Sequence, residues 1–303
     1  AATLPTDQTD LRIPLCDEPA RGVGVEAEGG LYGGGHNRMP EPWRSRVAEA
    51  VRGIRPLNRE GQPDPNGRIV LASFSMSNAS MEFEMFEAFA MTAAERSPAV
   101  IVVNCAQGGQ AMAEWAAPGA RPWTVAIERL HRAGVTTAQV QVAWIKLANI
   151  CRGETVEEYS ARLERDSVTV LQSARRWCPN LILVALGSRI YGGWATTRLN
   201  PEPYAHESGR VARRLLIRQM KGDPELNPDP ARGPVRAPWL CWGPYLWADG
   251  EKGRACDDLV WQRADFLQDG THPSPSGCAK VAQRLLEFFL HDPLAQPWFV
   301  ARP

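Results

Sequence analysis

Short apolar runs alternate with amphipathic stretches from about residue 68 to residue 289. Residues 68–74 form the first run and 98–104 the second, with Val100-Ile101-Val102-Val103 at its centre. Residues 139–145, 181–186 and 237–242 form three more. Runs of this length, bounded by turn residues, predict strands buried on both faces. Between them, residues 81–96 predict a helix with an apolar face of Met85, Phe86, Phe89 and Ala93, and with Glu82, Glu84 and Glu87 pointing elsewhere. Residues 124–132 predict a second helix. Thr155, followed three residues later by Glu158, is a capping box that opens a long helix carrying Val156, Tyr159, Leu163, Val170 and Ala174. Ser274-Pro275 is an N-cap followed by proline at the first helical position, and the helix it opens shows Val281, Leu285, Phe288 and Phe289 on one face. Strands separated by helices are βαβ units, which form a parallel sheet covered on both sides. The expected fold is therefore α/β: a three-layer α/β/α sandwich, flavodoxin-like, with about five strands.

The rest of the chain reads as attachments to that unit. Residues 1–66 are rich in proline, glycine and charge, with one amphipathic stretch at 43–54, and are expected to form an extension packed on a catalytic domain at 67–303. Gly22-x-Gly24-x-x-Ala27 imitates a dinucleotide fingerprint, but no strand precedes it and no helix pattern follows, so it is read as a loop. Residues 191–204 read as an elaborate strand-end loop.

Composition narrows the function classes. The 34 basic and 34 acidic residues cancel, which argues against nucleic-acid binding through a general basic field. The best uncharged run, 97–113, breaks into Asn, Gln and Gly-Gly, so no membrane span is expected. Seven cysteines at 16, 105, 151, 178, 241, 256 and 278 contain no C-x-x-C pair, which disfavours a zinc site. Cys105 and Cys151 follow apolar runs and read as buried small hydrophobes. The start at Ala1-Ala2 fits a processed secreted or periplasmic protein and fits trimming equally well; export, with one to three disulfides, is the expectation.

In parallel α/β sheets the ligand sits at the carboxyl ends of the strands. The first strand ends in Ser75-Met76-Ser77-Asn78 directly before a helix. A serine there is exposed above the sheet, with helix N-terminal N–H groups beside any developing oxyanion. The second strand leads to Gly108-Gly109, where the backbone can approach a ligand closely. The third leads to Lys146 and Asn149; Lys146, one of four lysines, fits either an oxyanion donor or a side chain snorkelling to solvent. Asp269 stands three residues before His272 in a glycine-containing turn, a spacing that lets the carboxylate hold Nδ1 and leaves Nε2 free as a base. Asp265, four residues further up the chain, is a poorer partner.

Together these blocks resemble the SGNH (GDSL-type) hydrolase superfamily, and most closely its sialate O-acetylesterase and carbohydrate esterase branch. Asp269 and His272 ahead of a last amphipathic helix match its C-terminal block, Ser75-Met76-Ser77-Asn78 its first, and Gly108-Gly109 with Trp115 its second. The likeness covers roughly residues 68–290. Two departures stand out: Ser75 replaces the usual glycine, and Lys146-Leu147-Ala148-Asn149 replaces the third block. The resemblance implies a serine esterase acting on short acyl esters, such as acetyl groups on carbohydrates, with no metal or organic cofactor. Ser77 would be the nucleophile, His272 the base and Asp269 its orienting carboxylate. The N–H groups of Ser77 and Gly109 (or Gly108), with Lys146 or Asn149, would hold the oxyanion. Asn78, Trp194 and Tyr204 are weaker candidates for substrate contact, and the aromatic pair reads better as core. Acyl transfer to a sugar hydroxyl by the same triad, or a non-catalytic carbohydrate-binding relative, are the competing readings.

Overall fold

Five strands make one all-parallel sheet in the order β2-β1-β3-β4-β5: β1 Ile69–Ser73, β2 Val100–Asn104, β3 Val140–Lys146, β4 Leu183–Gly187 and β5 Trp239–Trp242. These features come from a computed structural model that describes residues 12–20 and 29–301. Every residue of β1, β3, β4 and β5 is buried, which explains why they read as mainly apolar runs. The Gly22–Ala27 loop reading lies outside the described residues.

Eight helices accompany the sheet among the described residues: α1 Trp43–Val51, α2 Ser77–Thr92, α3 Met112–Ala116, α4 Arg121–Arg132, α5 Val156–Trp177, α6 Tyr204–Met220, α7 Pro275–His291 and α8 Gln296–Phe299. Parallel strands are joined by right-handed crossovers, so the change of direction after β2 puts α2 on one face and the crossover helices that follow it on the other. Helices α2 and α7 pack on each other on one face, and α5 packs on α6 on the other. Phe83 of α2 stacks on Trp144 of β3 at 5.7 Å, and Phe86 meets Phe289 of α7 at 5.3 Å. The result is the three-layer α/β/α, flavodoxin-like fold.

Three details depart from the sequence expectations. Helix α2 begins at Ser77, four residues before the expected start, because Ser-Asn-Ala-Ser carries no apolar face to betray the first turn. Glu82, expected to point away from the core, is fully buried. Residues 204–220, for which no element was expected, form the 17-residue α6.

Residues 12–20 and 29–51 reach the β5 side of the sheet, whereas 55–61 lie at the starts of β1 and β3, where Leu57 pairs with Arg68 and Arg55 with Gln141. Trp43 packs on Trp239 at 5.2 Å, and Trp242 donates through its backbone N–H to the Tyr32 hydroxyl at 3.1 Å. Glu18 accepts from Arg213 at 2.6 Å, and Cys16 is joined to Cys256 by a disulfide. The other five cysteines are free and buried, and burial pushes the thiols of Cys105 and Cys151 up to about 12.

Candidate active site

Each strand delivers one group to the same end of the sheet. Ser77 is the first residue of α2, four positions past β1. No side chain caps that helix, so its first N–H groups stay free to face an anion. The Ser77 hydroxyl lies 2.8 Å from His272 Nε2, and His272 Nδ1 lies 2.5 Å from Asp269 Oδ2. The other oxygen, Asp269 Oδ1, accepts the backbone N–H groups of Thr271 and His272, each at 3.0 Å. Burial opposes the charge on Asp269, but these hydrogen bonds outweigh it and hold the carboxyl below its ordinary range. The carboxylate is therefore ionised at neutral pH and fixes His272 with Nε2 facing Ser77.

The turn that carries this pair depends on Gly270. Its φ is +64°, and a Cβ there would stand 1.8 Å from the Trp194 carbonyl oxygen. Asn78 ties the turn to α2 by donating Nδ2 to the Thr271 carbonyl at 2.8 Å. Asn78 also lines the hollow. Asp265 pairs with Lys280 at 2.5 Å and accepts from Ser276, away from His272.

The second block locks onto the first. Trp115 donates Nε1 to the Ser75 carbonyl at 3.2 Å and packs edge-on against Trp123 at 4.8 Å. Ser75 is fully buried with its hydroxyl donating to the Lys146 carbonyl, so it has no access to substrate. Gly109, at φ +73°, lines the hollow in front of Ser77, whereas Gly108 does not. The Gly109 N–H has no partner among the described residues.

Lys146 requires a correction. It neither snorkels nor reaches the hollow: its ammonium donates to both oxygens of Glu82 at 2.5 and 2.7 Å, with neither side chain exposed. Burial pushes its pKa down to about 8, against the pull of Glu82. The side chains of β3 alternate between faces, and Lys146, like Trp144, faces α2 beneath the site. Asn149 does line the hollow. Its Oδ1 accepts from Ala113 N at 2.8 Å and its Nδ2 donates to Asp166 at 2.7 Å, leaving one amide hydrogen uncommitted. Trp194 and Tyr204 are also corrected. Trp194 packs edge-on against Tyr191 and Phe266, while Tyr204 lies on Tyr159 and donates to the Glu154 carbonyl at 2.7 Å. Neither lines the hollow.

Two more residues line the hollow: Arg189, which escaped the sequence reading, and Asn200, which lies in the 191–204 strand-end loop. Arg189 follows β4 and is 2% exposed. Asn200, at φ +61°, donates to the Asn149 carbonyl at 2.8 Å and to the Tyr159 hydroxyl at 2.7 Å. The strand-end rule pointed to the stretch after residue 186, but Arg189 is one of 30 arginines and its type alone raised no signal. The hollow measures about 340 Å³ with its open mouth included. A larger one, about 480 Å³, lies among Gly222, Pro224 and Arg232 near the start of β5 and contains none of these groups.

No protein-family profile matches the chain, and no curated protein does. Among solved structures it is similar to a Bacteroides fragilis protein provisionally described as an acylhydrolase, with 12% identity, 82% of this chain and 96% of the other covered, and a TM-score of 0.41. It is similar to an extracellular lipase of Streptomyces rimosus, with 12% identity, 73% and 99% covered, and a TM-score of 0.36. It is also similar to the salicylyl-acyltransferase SsfX3 of a tetracycline biosynthetic pathway, with 15% identity, 74% and 54% covered, and a TM-score of 0.35.

Proposed function

We propose that this protein is a serine esterase of the SGNH type that hydrolyses short-chain acyl esters. The observation that carries the reading is the unbroken hydrogen-bond chain from Ser77 through His272 to Asp269, open to a hollow at the carboxyl end of the sheet. His272 Nε2 takes the Ser77 proton as the oxygen attacks the ester carbonyl, and Asp269 stabilises the resulting imidazolium. The N–H groups of Ser77 and Gly109, with the spare Asn149 amide hydrogen, hold the tetrahedral oxyanion. His272 protonates the leaving alcohol, and water then releases the acid from Ser77 by the same proton route. The small hollow supports a short acyl chain. A carbohydrate as the alcohol rests on the motif resemblance alone, because Trp194 and Tyr204 stand outside the hollow. Residues 67–303 are taken as the catalytic unit, and the Cys16–Cys256 disulfide supports an oxidising location for the protein.

Hydrolysis of p-nitrophenyl acetate, butyrate and octanoate tests this. Ser77→Ala is expected to lower kcat by at least about 10³-fold, and Asp269→Asn by roughly 10⁴-fold. The wild type is expected to prefer acetate. Full activity in Ser77→Ala would overturn the reading.

A further inference from the structure

The hollow beside Ser77 is lined by a positive charge, Arg189, that no carboxylate among the described residues pairs with. Arg189 is only 2% exposed. Its Nε is buried without a partner, and its one side-chain hydrogen bond is a long contact of 3.4 Å from Nη2 to the Thr271 carbonyl. The carboxylates nearest in effect are all engaged elsewhere. Glu82 holds Lys146, and Asp269 holds His272. Glu202 accepts from Gly192 N–H, His206 N–H and Trp247 Nε1. A second unsatisfied donor stands next to it: the Thr271 hydroxyl is 1% exposed and also has no partner. Both residues line the hollow.

Burying an arginine uncompensated is costly, and buried guanidinium groups are normally paired. Burial depresses the pKa of Arg189, but a guanidinium stays protonated in proteins. Its planar fork of donors matches a carboxylate, which accepts two parallel hydrogen bonds. We propose that Arg189 and Thr271 form a carboxylate-binding subsite, so that the substrate is an ester that carries a carboxylate near the scissile bond. The inference rests on the esterase reading and specifies its substrate class. The carboxylate comes either from the alcohol half, as in an acylated hydroxy acid, or from the acyl half, as in a half-ester of a dicarboxylic acid.

Two isosteric pairs separate these sources: O-acetyl-lactate against O-acetyl-lactamide, and monoethyl glutarate against its terminal amide, each followed by acid release. For the matching pair, the wild type is expected to prefer the charged member by about 10- to 100-fold in kcat/KM. Arg189→Met is expected to collapse that ratio to near one, while Arg189→Lys keeps part of it. Binding is read separately from turnover by calorimetric titration of lactate and glutarate into Ser77→Ala protein; saturable binding is expected, lost on adding Arg189→Met. A wild-type ratio near one in both pairs overturns the proposal even if Arg189→Met fails to fold. So does an equal loss on charged and neutral esters in Arg189→Met, which would make Arg189 an oxyanion donor. Anion binding by Ser77→Ala with no ester cleaved by the wild type would sink the esterase reading and leave the subsite standing. Ester cleavage without charge preference or anion binding would do the reverse.

Discussion

Lys146 and Glu82 face each other with neither side chain exposed to water, directly below the strand ends that carry the candidate triad. An ion pair in that setting gains little net stability, because desolvation offsets most of the attraction. Removing one member alone strands a buried charge. Lys146→Met is therefore expected to cost about 3–5 kcal/mol, and adding Glu82→Leu to restore most of it. Urea unfolding of the two variants decides: equal stabilities would show that the pair does not act as one. The same pair shows what a sequence leaves hidden at this scale. Asp269 and His272 were legible because one short turn contains both, and Ser77 because a strand end and a helix start flank it. Lys146 and Glu82 lie 64 residues apart on different elements, and no local pattern joins them. Arg189 was hidden for the converse reason, since its significance lies in the partner it lacks.

Among the elements, the strands were the most legible, because burial on both faces leaves few polar positions, such as Gln141 and Lys146 of β3, to blur them. Helix α6 was the least. Its inner surface buries His206, Glu207, Ser208, Arg213 and Gln219 beside Val211, Leu215 and Leu216, so the polar residues erase the apolar stripe. One of them gives α6 a pH dependence. His206 is buried against Trp247 at 4.5 Å, and its Nε2 lies 2.9 Å from the Ile13 carbonyl, the geometry of a neutral ring donating its proton. Burial, reinforced by nearby Arg210, pushes its pKa down to about 3. Unfolded histidine takes a proton below about 6.5, whereas the native ring stays neutral until far lower pH. Stability is thus full above about pH 6.5 and falls on acidification toward pH 3, by at most about 1.4 kcal/mol per pH unit from this residue. His206→Gln is expected to flatten that part of the acid loss in urea midpoints taken at pH 7, 5 and 4. Parallel slopes for the two proteins would refute it.

Taken whole, the molecule is clasped by its own N-terminal segment. The Asp17 carboxylate accepts the N–H groups of Ala255 and Cys256 at 2.7 Å each, next to the disulfide. The Leu15 N–H donates to the Tyr245 hydroxyl at 3.1 Å, and Glu18 accepts from Arg210 and Arg213. The cross-link closes a loop of 240 residues, for which loop-closure entropy favours the folded state. Cys16→Ser is expected to lower unfolding stability by about 2–5 kcal/mol, read from the urea midpoint under non-reducing conditions. An unchanged midpoint would show that the polar contacts alone hold the segment.

The position of that cross-link also bears on the order in which the growing chain can acquire its parts. Both sulfurs are available once residue 256 has emerged, when all five strands and Ser77 are already present. Asp269, His272 and α7 come later. Helix α7, which comes after both linked cysteines, packs against α2 on one face of the sheet. The growing polypeptide can thus be cross-linked while still holding a nucleophile without a base, and on the esterase reading it gains reactivity only once residue 272 has been added.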